Sequence, residues 1–572
     1  MAGRAVLYPF LLAAFPILSL YAHNVHEVRP QELLAPLAAV TGLAAATWGL
    51  LGLAIGRKWH KAGLLAIPPL VLFYAAGSVP LESLSESLGD FAIEHDMKAV
   101  WLLPLELAAI EVVIACSAIG LIAWRVREPA AAGRTGALNR FALILALMPI
   151  LAVATSRSWF SGQQVSAIRG AFDVPMEAGD ALLTRPDIYY IILDGFGRDD
   201  VLEEIYDFDA GPFLETLEHH GFVVARASTS NYGQTRLSLA SSLNGSYLDD
   251  LRSPTAADED PLRDLIQGNG LVRALRGLGY TIIDFDSGYH LTEDLGSDVR
   301  LGPHSWGLGE FQLLLIRGTA IAYFLPEHLA RDPFAQARVR ITTILDRLPG
   351  IAQRPEPTFT FAHILAPHPP FLFDAQGKPT ASASLTFSLN DGDEFQDPDP
   401  RAYIDGYRDQ ASFLAKQVES MVQRLLASSP TPPIVIIQAD HGPGSRMSHR
   451  DVHKTDLHER FSILNAYHLP GVDPKAIPQD ITPVNSFRLV LNRYFRAELP
   501  MLPNRSYYAT WWKPFDFIDI TQPLAERNGP RAGARPLEQP PAPKPSATPP
   551  SRVTSACDHD PDADNEGARP AW

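Results

Sequence analysis

The chain has 572 residues, 46% of them hydrophobic, and 64 acidic against 48 basic side chains give a formal net charge of −16. That balance argues against nucleic acid as a main partner, although a bound cation can still draw an anionic substrate into a local site. The two cysteines, Cys116 in an apolar run and Cys557 in a polar tail, argue against a disulfide framework and a cysteine metal site.

Apolar runs recur at about residues 5–22, 32–56, 62–80, 99–124 and 138–156. Each is close to the roughly 20 residues that cross a bilayer as a helix. The first run also reads as a cleaved signal peptide, but only Arg4 flanks it and more runs follow at once. Residues 1–160 are therefore predicted to form a transmembrane bundle of about five helices, with a linker at 161–182. The second loop carries Arg57, Lys58 and Lys61, and the fourth carries Arg125, Arg127, Arg134 and Arg140. The third is acidic, with Glu82, Glu86, Asp90, Glu94 and Asp96. The positive-inside rule places the N-terminus and loops two and four in the cytoplasm, and everything after the fifth span outside. The expected setting is the inner membrane, with an extracytoplasmic, periplasmic-type catalytic domain. Glu106 and Glu111 fall in the fourth run, where an ionisable group is either interfacial or a site for a lipid headgroup.

Beyond residue 183 the pattern changes to strands alternating with helices. IYYIILD, TFTFAHIL and PIVIIQAD read as buried strands. GPFLETLEHHG and YIDGYRDQASFLAKQVESMVQRLLAS read as helices. This rhythm predicts one α/β domain over 183–500, with a mostly parallel sheet and helices on both faces. Residues 501–524 form a C-terminal extension, and the Pro-rich stretch 525–572 is predicted to be disordered.

The chemistry gathers where apolar strands end, which is where a parallel α/β sheet presents ligands. Asp194 closes one strand, and Asp440 and His441 close another. Thr235 lies in a loop leading into the helical LSLASSLN, with Ser238, Ser241 and Ser242 as deeper hydroxyls. A turn or helix cap is the plain reading of each. Together, two carboxylates, an imidazole and a hydroxyl make a shell for a divalent metal, zinc or manganese. A metal is also what a threonine needs to attack near neutral pH. His363 sits within a strand and reads as a satisfied core histidine. His368 sits in a Pro-rich loop, placed to bind an anion or protonate a leaving group. His449, His453 and His458 follow in one polar segment. His453, twelve residues after His441, is the first choice for the site, and a solvated surface accounts for the others.

Taken together, these motifs resemble the alkaline phosphatase/sulfatase superfamily, and within it the membrane-bound lipoteichoic acid synthases and lipid A phosphoethanolamine transferases. The resemblance covers about residues 1–500 and rests on the order of Asp194, Thr235 and the Asp440–His441 pair. The run Thr235-Arg236-Leu237-Ser238 is similar to the Thr-x-x-Ser of the phosphoethanolamine transferases, and His368 in HILAPHPPF to their substrate-binding histidine. It implies five membrane helices before an extracytoplasmic α/β catalytic domain, a metal held by Asp194, Thr235, Asp440 and His441, and a threonine nucleophile. Two departures stand out: Asp194 replaces the usual Glu of both transferase families, and the cysteines that crosslink the phosphoethanolamine transferases are missing. The Cys/Ser-x-Pro/Ala-x-Arg pattern of formylglycine sulfatases does not occur near Thr235.

The expected activity is a metal-dependent phosphotransferase or phosphodiesterase, moving a phospholipid headgroup to a cell-envelope glycan, a lipid or water, with His368 and His453 steadying the substrate. Hydrolysis of a sulfate or phosphate ester, and a catalytically inactive membrane scaffold, are the alternatives.

Overall fold

A run of Leu, Ala and Val without charges can satisfy its backbone away from water only by hydrogen-bonding to itself, so the N-terminal part of the chain is helical. The computed structural model describes residues 5–23, 30–75, 116–122, 124–155, 162–176, 185–256, 259–303, 310–319, 321, 333–380, 387–395, 399 and 401–528. Helix α1 is Tyr8–His23, α2 Leu34–Ala54, α3 Trp59–Ala75, α4 Glu128–Thr155 and α5 Gly162–Arg169. Among the described residues, Leu34–Ala54 and Glu128–Val153 are long and apolar enough to cross a membrane. Leu50, Leu53, Phe141, Ile144 and Leu151 stay exposed on these two helices, an apolar surface suited to lipid. Two of the five expected spans thus meet the requirement among the described residues, and most of the run at 99–124 lies outside them. Glu106, Glu111, the acidic third loop and the tail beyond 528 lie outside the described residues.

The remaining helices and strands, in chain order, are β1 (Ile188–Leu193), α6 (Asp199–Tyr206), α7 (Gly211–His219), β2 (Val223–Val224), α8 (Thr235–Ser242), α9 (Asp260–Gln267), α10 (Gly270–Gly277), β3 (Thr281–Phe285), β4 (Val299–Leu301), α11 (Glu310–Arg317), α12 (Pro333–Arg347), β5 (Thr358–Ile364), α13 (Ala402–Ser428), β6 (Ile434–Gln438), α14 (Leu457–Phe461), β7 (Asn465–His468), α15 (Pro483–Phe495), β8 (Tyr507–Thr510), β9 (Lys513–Asp519) and α16 (Thr521–Asn528). They divide between two compact units.

The first unit draws on Met1–Asp173, Asp258–Leu348 and Thr358–Ala362. Polar ties hold one end of its helices together. Asn139 Oδ1 accepts the Leu7 and Tyr8 amides at 3.0 Å each. The Tyr8 hydroxyl donates to the His60 carbonyl at 3.4 Å, and Glu128 accepts the amides of His60 and Lys61 at 3.1 and 2.9 Å. The start of α1, the start of α3 and the first turns of α4 therefore lie at the same end. In the same unit β3 pairs in parallel with both β4 and β5. Helix α5 is fixed to α9 by Arg169, whose Nη2 donates to the Asp264 carbonyl at 2.7 Å.

The second unit comprises Val174–Ala257, Pro349–Pro357 and His363–Trp572. Its strands run in the order β2-β7-β6-β1. Every residue of IYYIIL in β1 and IVIIQ in β6 is buried, as expected of strands covered on both faces. These two pair in parallel, whereas β7 runs antiparallel to β6 and β2 antiparallel to β7. The sheet is therefore mixed, with an antiparallel edge at β7 and β2 beside parallel pairings elsewhere. The cause is local: the chain from 439 to 464 holds only the short α14, returns along the same edge and lays β7 down in reverse. Helix α13 spans 27 residues and buries Tyr403, Tyr407, Leu414, Val418 and Leu425, the stripe that its helical period predicts.

One polar network runs through this core. The Gln438 amide donates to the Tyr190 hydroxyl at 2.9 Å and accepts from Ser486 at 2.8 Å, and Ser486 meets the Tyr467 hydroxyl at 2.7 Å. All four side chains are fully buried. Gln438→Leu removes two buried hydrogen bonds; a destabilisation of about 1–3 kcal/mol is expected, read as a lower thermal midpoint of the full chain in detergent.

Candidate active site

Strands β1 and β6 lie side by side and end together, so Asp194 and Asp440 leave the sheet at one edge. Asp194 is followed by Gly195, whose φ of +73° makes the sharp turn that a side chain would strain. The Gly195 amide donates to Asp440 Oδ1 at 3.2 Å and the Asp194 amide to the Ile364 carbonyl at 3.0 Å. Gly442 has no room for a side chain, since a Cβ would come within 2.1 Å of the Glu459 carbonyl oxygen. That close approach holds the Asp440–His441 turn against α14.

Four of the residues singled out from the sequence converge here. His441 Nε2 lies 3.5 Å from Asp194 Oδ1, 3.3 Å from Asp440 Oδ2 and 3.1 Å from Thr235 Oγ1. His441 Nδ1 sits 2.9 Å from the Gly442 carbonyl oxygen. A carbonyl can only accept, so Nδ1 carries the proton and Nε2 presents its lone pair to the cluster. Asp194 Oδ1 and Asp440 Oδ2 are buried and accept no hydrogen bond. Thr235 is the first residue of α8, at the positive end of the helix dipole. It is half-buried, whereas Ser238, Ser241 and Ser242 deeper in the helix are buried.

His368 and His363 complete the surroundings. One atom each of Asp194, His368 and His441 lies within 4.8 Å of the others, and the same holds for Asp194, His363 and Asp440. His368 Nδ1 meets the Pro369 carbonyl at 2.6 Å, which leaves Nε2 facing inward. His363 is fully buried, with Nε2 3.2 Å from Asp194 Oδ2; that contact orients the carboxylate and leaves Oδ1 free. It is more than a packed core residue. His453 lies exposed in the turn Val452–Lys454 and is not among the gathered groups. His449 pairs with Asp393 at 2.9 Å, and His458 lies 3.4 Å from Asp200.

Two further charges occupy the site without a signal in the sequence. Arg460, 4% exposed, donates from Nη1 to Asp391 Oδ2 at 2.6 Å and to the Gly442 carbonyl at 3.1 Å, and from Nε to the Gly233 carbonyl at 2.8 Å. Its Nη2 sits 3.2 Å from His441 Nε2. Asp391 also accepts from the Tyr403 hydroxyl at 2.6 Å and lies 3.7 Å from His368 Nε2. The two meet each other across 69 residues of chain, so neither could be told from a solvated side chain.

Electrostatics follow from this crowding. Burial opposes the charge on Asp194, but His368, His363 and His441 hold its pKa below the usual carboxylate range. Burial likewise opposes Asp391, and Arg460 and His368 hold it down. His441 is lowered by burial and by Arg460.

The donor set fits a divalent cation. Two buried carboxylate oxygens without hydrogen bonds and an imidazole lone pair face one another, with a hydroxyl beside them. Asp194, Asp440, His441 and Thr235 are the residues that would hold the ion.

Comparison with known families places this site in a defined setting. Residues 186–464 match the Sulfatase family model. No curated protein matches by sequence. Among solved structures, the C-terminal periplasmic domain of EcEptC from Escherichia coli in complex with zinc is 12% identical, covering 62% of this chain and 98% of that one, with a TM-score of 0.37. The integral membrane lipooligosaccharide phosphoethanolamine transferase A from Neisseria meningitidis is 12% identical over 86% of this chain and 96% of its own, at 0.36. BT1596, a 2-O GAG sulfatase, is 15% identical over 58% and 74%, at 0.34. Likenesses this distant carry no residue-by-residue correspondence.

Two outcomes are expected. Full-length protein loaded with zinc or manganese retains a stoichiometric ion by elemental analysis, and Asp194→Asn or His441→Ala lowers the content at least tenfold. Asp391→Asn breaks a buried pair and costs about 3–5 kcal/mol at neutral pH. Because the folded pKa of Asp391 lies below its ordinary 3.8, the carboxylate stabilises the fold above that pH and loses its contribution as the pH falls further. The deficit of Asp391→Asn, followed by thermal melting, therefore shrinks below pH 3.8.

Proposed function

We propose that this chain is a membrane-anchored, metal-dependent phosphotransferase or phosphodiesterase that acts on a phospholipid headgroup through Thr235. The observation that carries the reading is the placement of a half-buried hydroxyl at a helix start, 3.1 Å from His441 Nε2 and beside two buried carboxylates that each keep one oxygen without a hydrogen-bond donor. A bound zinc or manganese ion would supply the charge that lowers the hydroxyl's pKa and offsets the phosphoryl oxygens. Thr235 Oγ1 forms a bond to phosphorus and its proton passes to water. The P–O bond to the lipid alcohol breaks, and that oxygen takes up a proton. The phosphothreonine ester is then attacked by an acceptor hydroxyl, from a cell-envelope glycan or lipid, or by water, which restores Thr235. His368, whose Nε2 faces the cluster, steadies the substrate or the departing oxygen, and the α8 N-terminus favours the anion. The apolar helices α2 and α4 support anchoring in the membrane that carries the donor, with the catalytic domain on its outer face.

A second reading, hydrolysis of a sulfate or phosphate ester, is favoured by the Sulfatase match itself. Release of free sulfate or phosphate without a lipid donor would identify it.

The deciding experiment is mass spectrometry of the full-length protein after incubation with metal and phospholipid. A headgroup phosphate adduct on the Thr235 peptide is expected, absent from Thr235→Ala and from chelator-treated protein. An active enzyme with an unmodified peptide would end the covalent reading, and activity retained by Thr235→Ala would end the assignment of the nucleophile.

A further inference from the structure

Exposed apolar surface in the second unit is concentrated in one place. Among its described residues the exposed large hydrophobic side chains are Met501, Trp511, Trp512 and Ile518, and the last three lie on the β8–β9 hairpin. The two tryptophans occupy the turn, 39% and 46% exposed. Cations accompany them. The Arg450 guanidinium stands 4.5 Å from the Trp512 ring centroid, Arg236 stands 4.0 Å from that of Trp511, and exposed Lys513 follows in sequence. From Tyr507 to Phe515 the hairpin has no carboxylate, in a chain whose net charge is −16.

The hairpin is also tied to both neighbours of Thr235. The Gln234 amide donates to the Ala509 carbonyl, and Arg236 Nη2 to the Trp511 carbonyl, each at 2.8 Å. The Trp511 amide donates to the His449 carbonyl at 2.9 Å. Whatever the turn rests on is therefore held at a fixed offset from the hydroxyl.

We propose that the Trp511–Trp512 turn is a docking element for a phospholipid surface, seating the two indoles at headgroup level with Arg450 and Lys513 against lipid phosphates. Indole rings with flanking cations partition to the bilayer interface, where one edge is apolar and the other wet. A glycan partner fits less well, because a guanidinium already stands over a face of each ring that sugar stacking would use. The helices α2 and α4 supply the independent reason for a bilayer to be at hand. The inference deepens the lipid-donor reading and rests on it for its purpose: the turn sets the depth at which Thr235 meets a headgroup.

The test uses the full chain in nanodiscs of phosphatidylethanolamine and phosphatidylglycerol, with and without lipids brominated high on the acyl chain. Emission of the wild type is compared with that of Trp511→Phe/Trp512→Phe. Loss of signal from the bromine-quenched fraction is expected; loss from the unquenched fraction alone overturns the proposal. In parallel, Trp512→Ala/Arg450→Ala is assayed on nanodisc phospholipid and on soluble bis(p-nitrophenyl) phosphate. At least a tenfold loss on the lipid, with the soluble diester within twofold of wild type, is expected. Equal losses on both, or none on the lipid, overturn it. The quenching arm needs no turnover, so a failure of the proposed reaction would leave it readable.

Discussion

Everything at the end of this sheet follows from placing carboxylates where water cannot reach them. Asp194, Asp391 and Asp440 are each 4% exposed or less. A buried anion is tolerable only if positive charge or hydrogen-bond donors surround it. The chain meets that demand unevenly. Asp391 is fully provided for by Arg460 and Tyr403. Asp194 and Asp440 each keep one oxygen without a donor, and those two oxygens face the same imidazole. The shortfall of positive charge is localised, and it lies beside the half-buried Thr235 hydroxyl at the start of α8. A site that binds a cation and then an anionic ester is the economical way to resolve it.

Arg460 gives this arrangement a positive pole held in place on several sides. Three of its contacts are to fixed partners, the Gly233 and Gly442 carbonyls and Asp391, so the guanidinium cannot swing away. Its remaining nitrogen reaches the same His441 Nε2 that Thr235 reaches. The cluster is thus a compact alternation of charged and polar groups around one imidazole nitrogen.

Much of this was legible in the sequence because strands betray themselves by composition and their last residues inherit the position. IYYIILD and IVIIQADH are uninterrupted apolar runs, so Asp194, Asp440 and His441 could be placed at a sheet edge before any coordinates. Thr235 could be placed at a helix start by the pattern after it. His363 was harder: a histidine inside a buried strand is ambiguous until its neighbour across the sheet edge is known, and that neighbour is Asp194. Asp391 and Arg460 were invisible because their environment is made by chain folding far away in sequence. Distance along the chain was equally mute for His453, which faces solvent in a turn while Arg460, further on, comes back to touch His441. The antiparallel β7 was missed for a related reason, since composition marks a strand without giving its direction.

The polar ties among the N-terminal helices carry a consequence of parity. Asn139, His60 and Glu128 gather the beginnings of α1, α3 and α4 at one end, so these three helices point the same way. A chain that runs into α4 beside its own first turn must leave α4 at the far end. Three hydrogen-bonding side chains thus set a shared direction for helices that long stretches of chain separate.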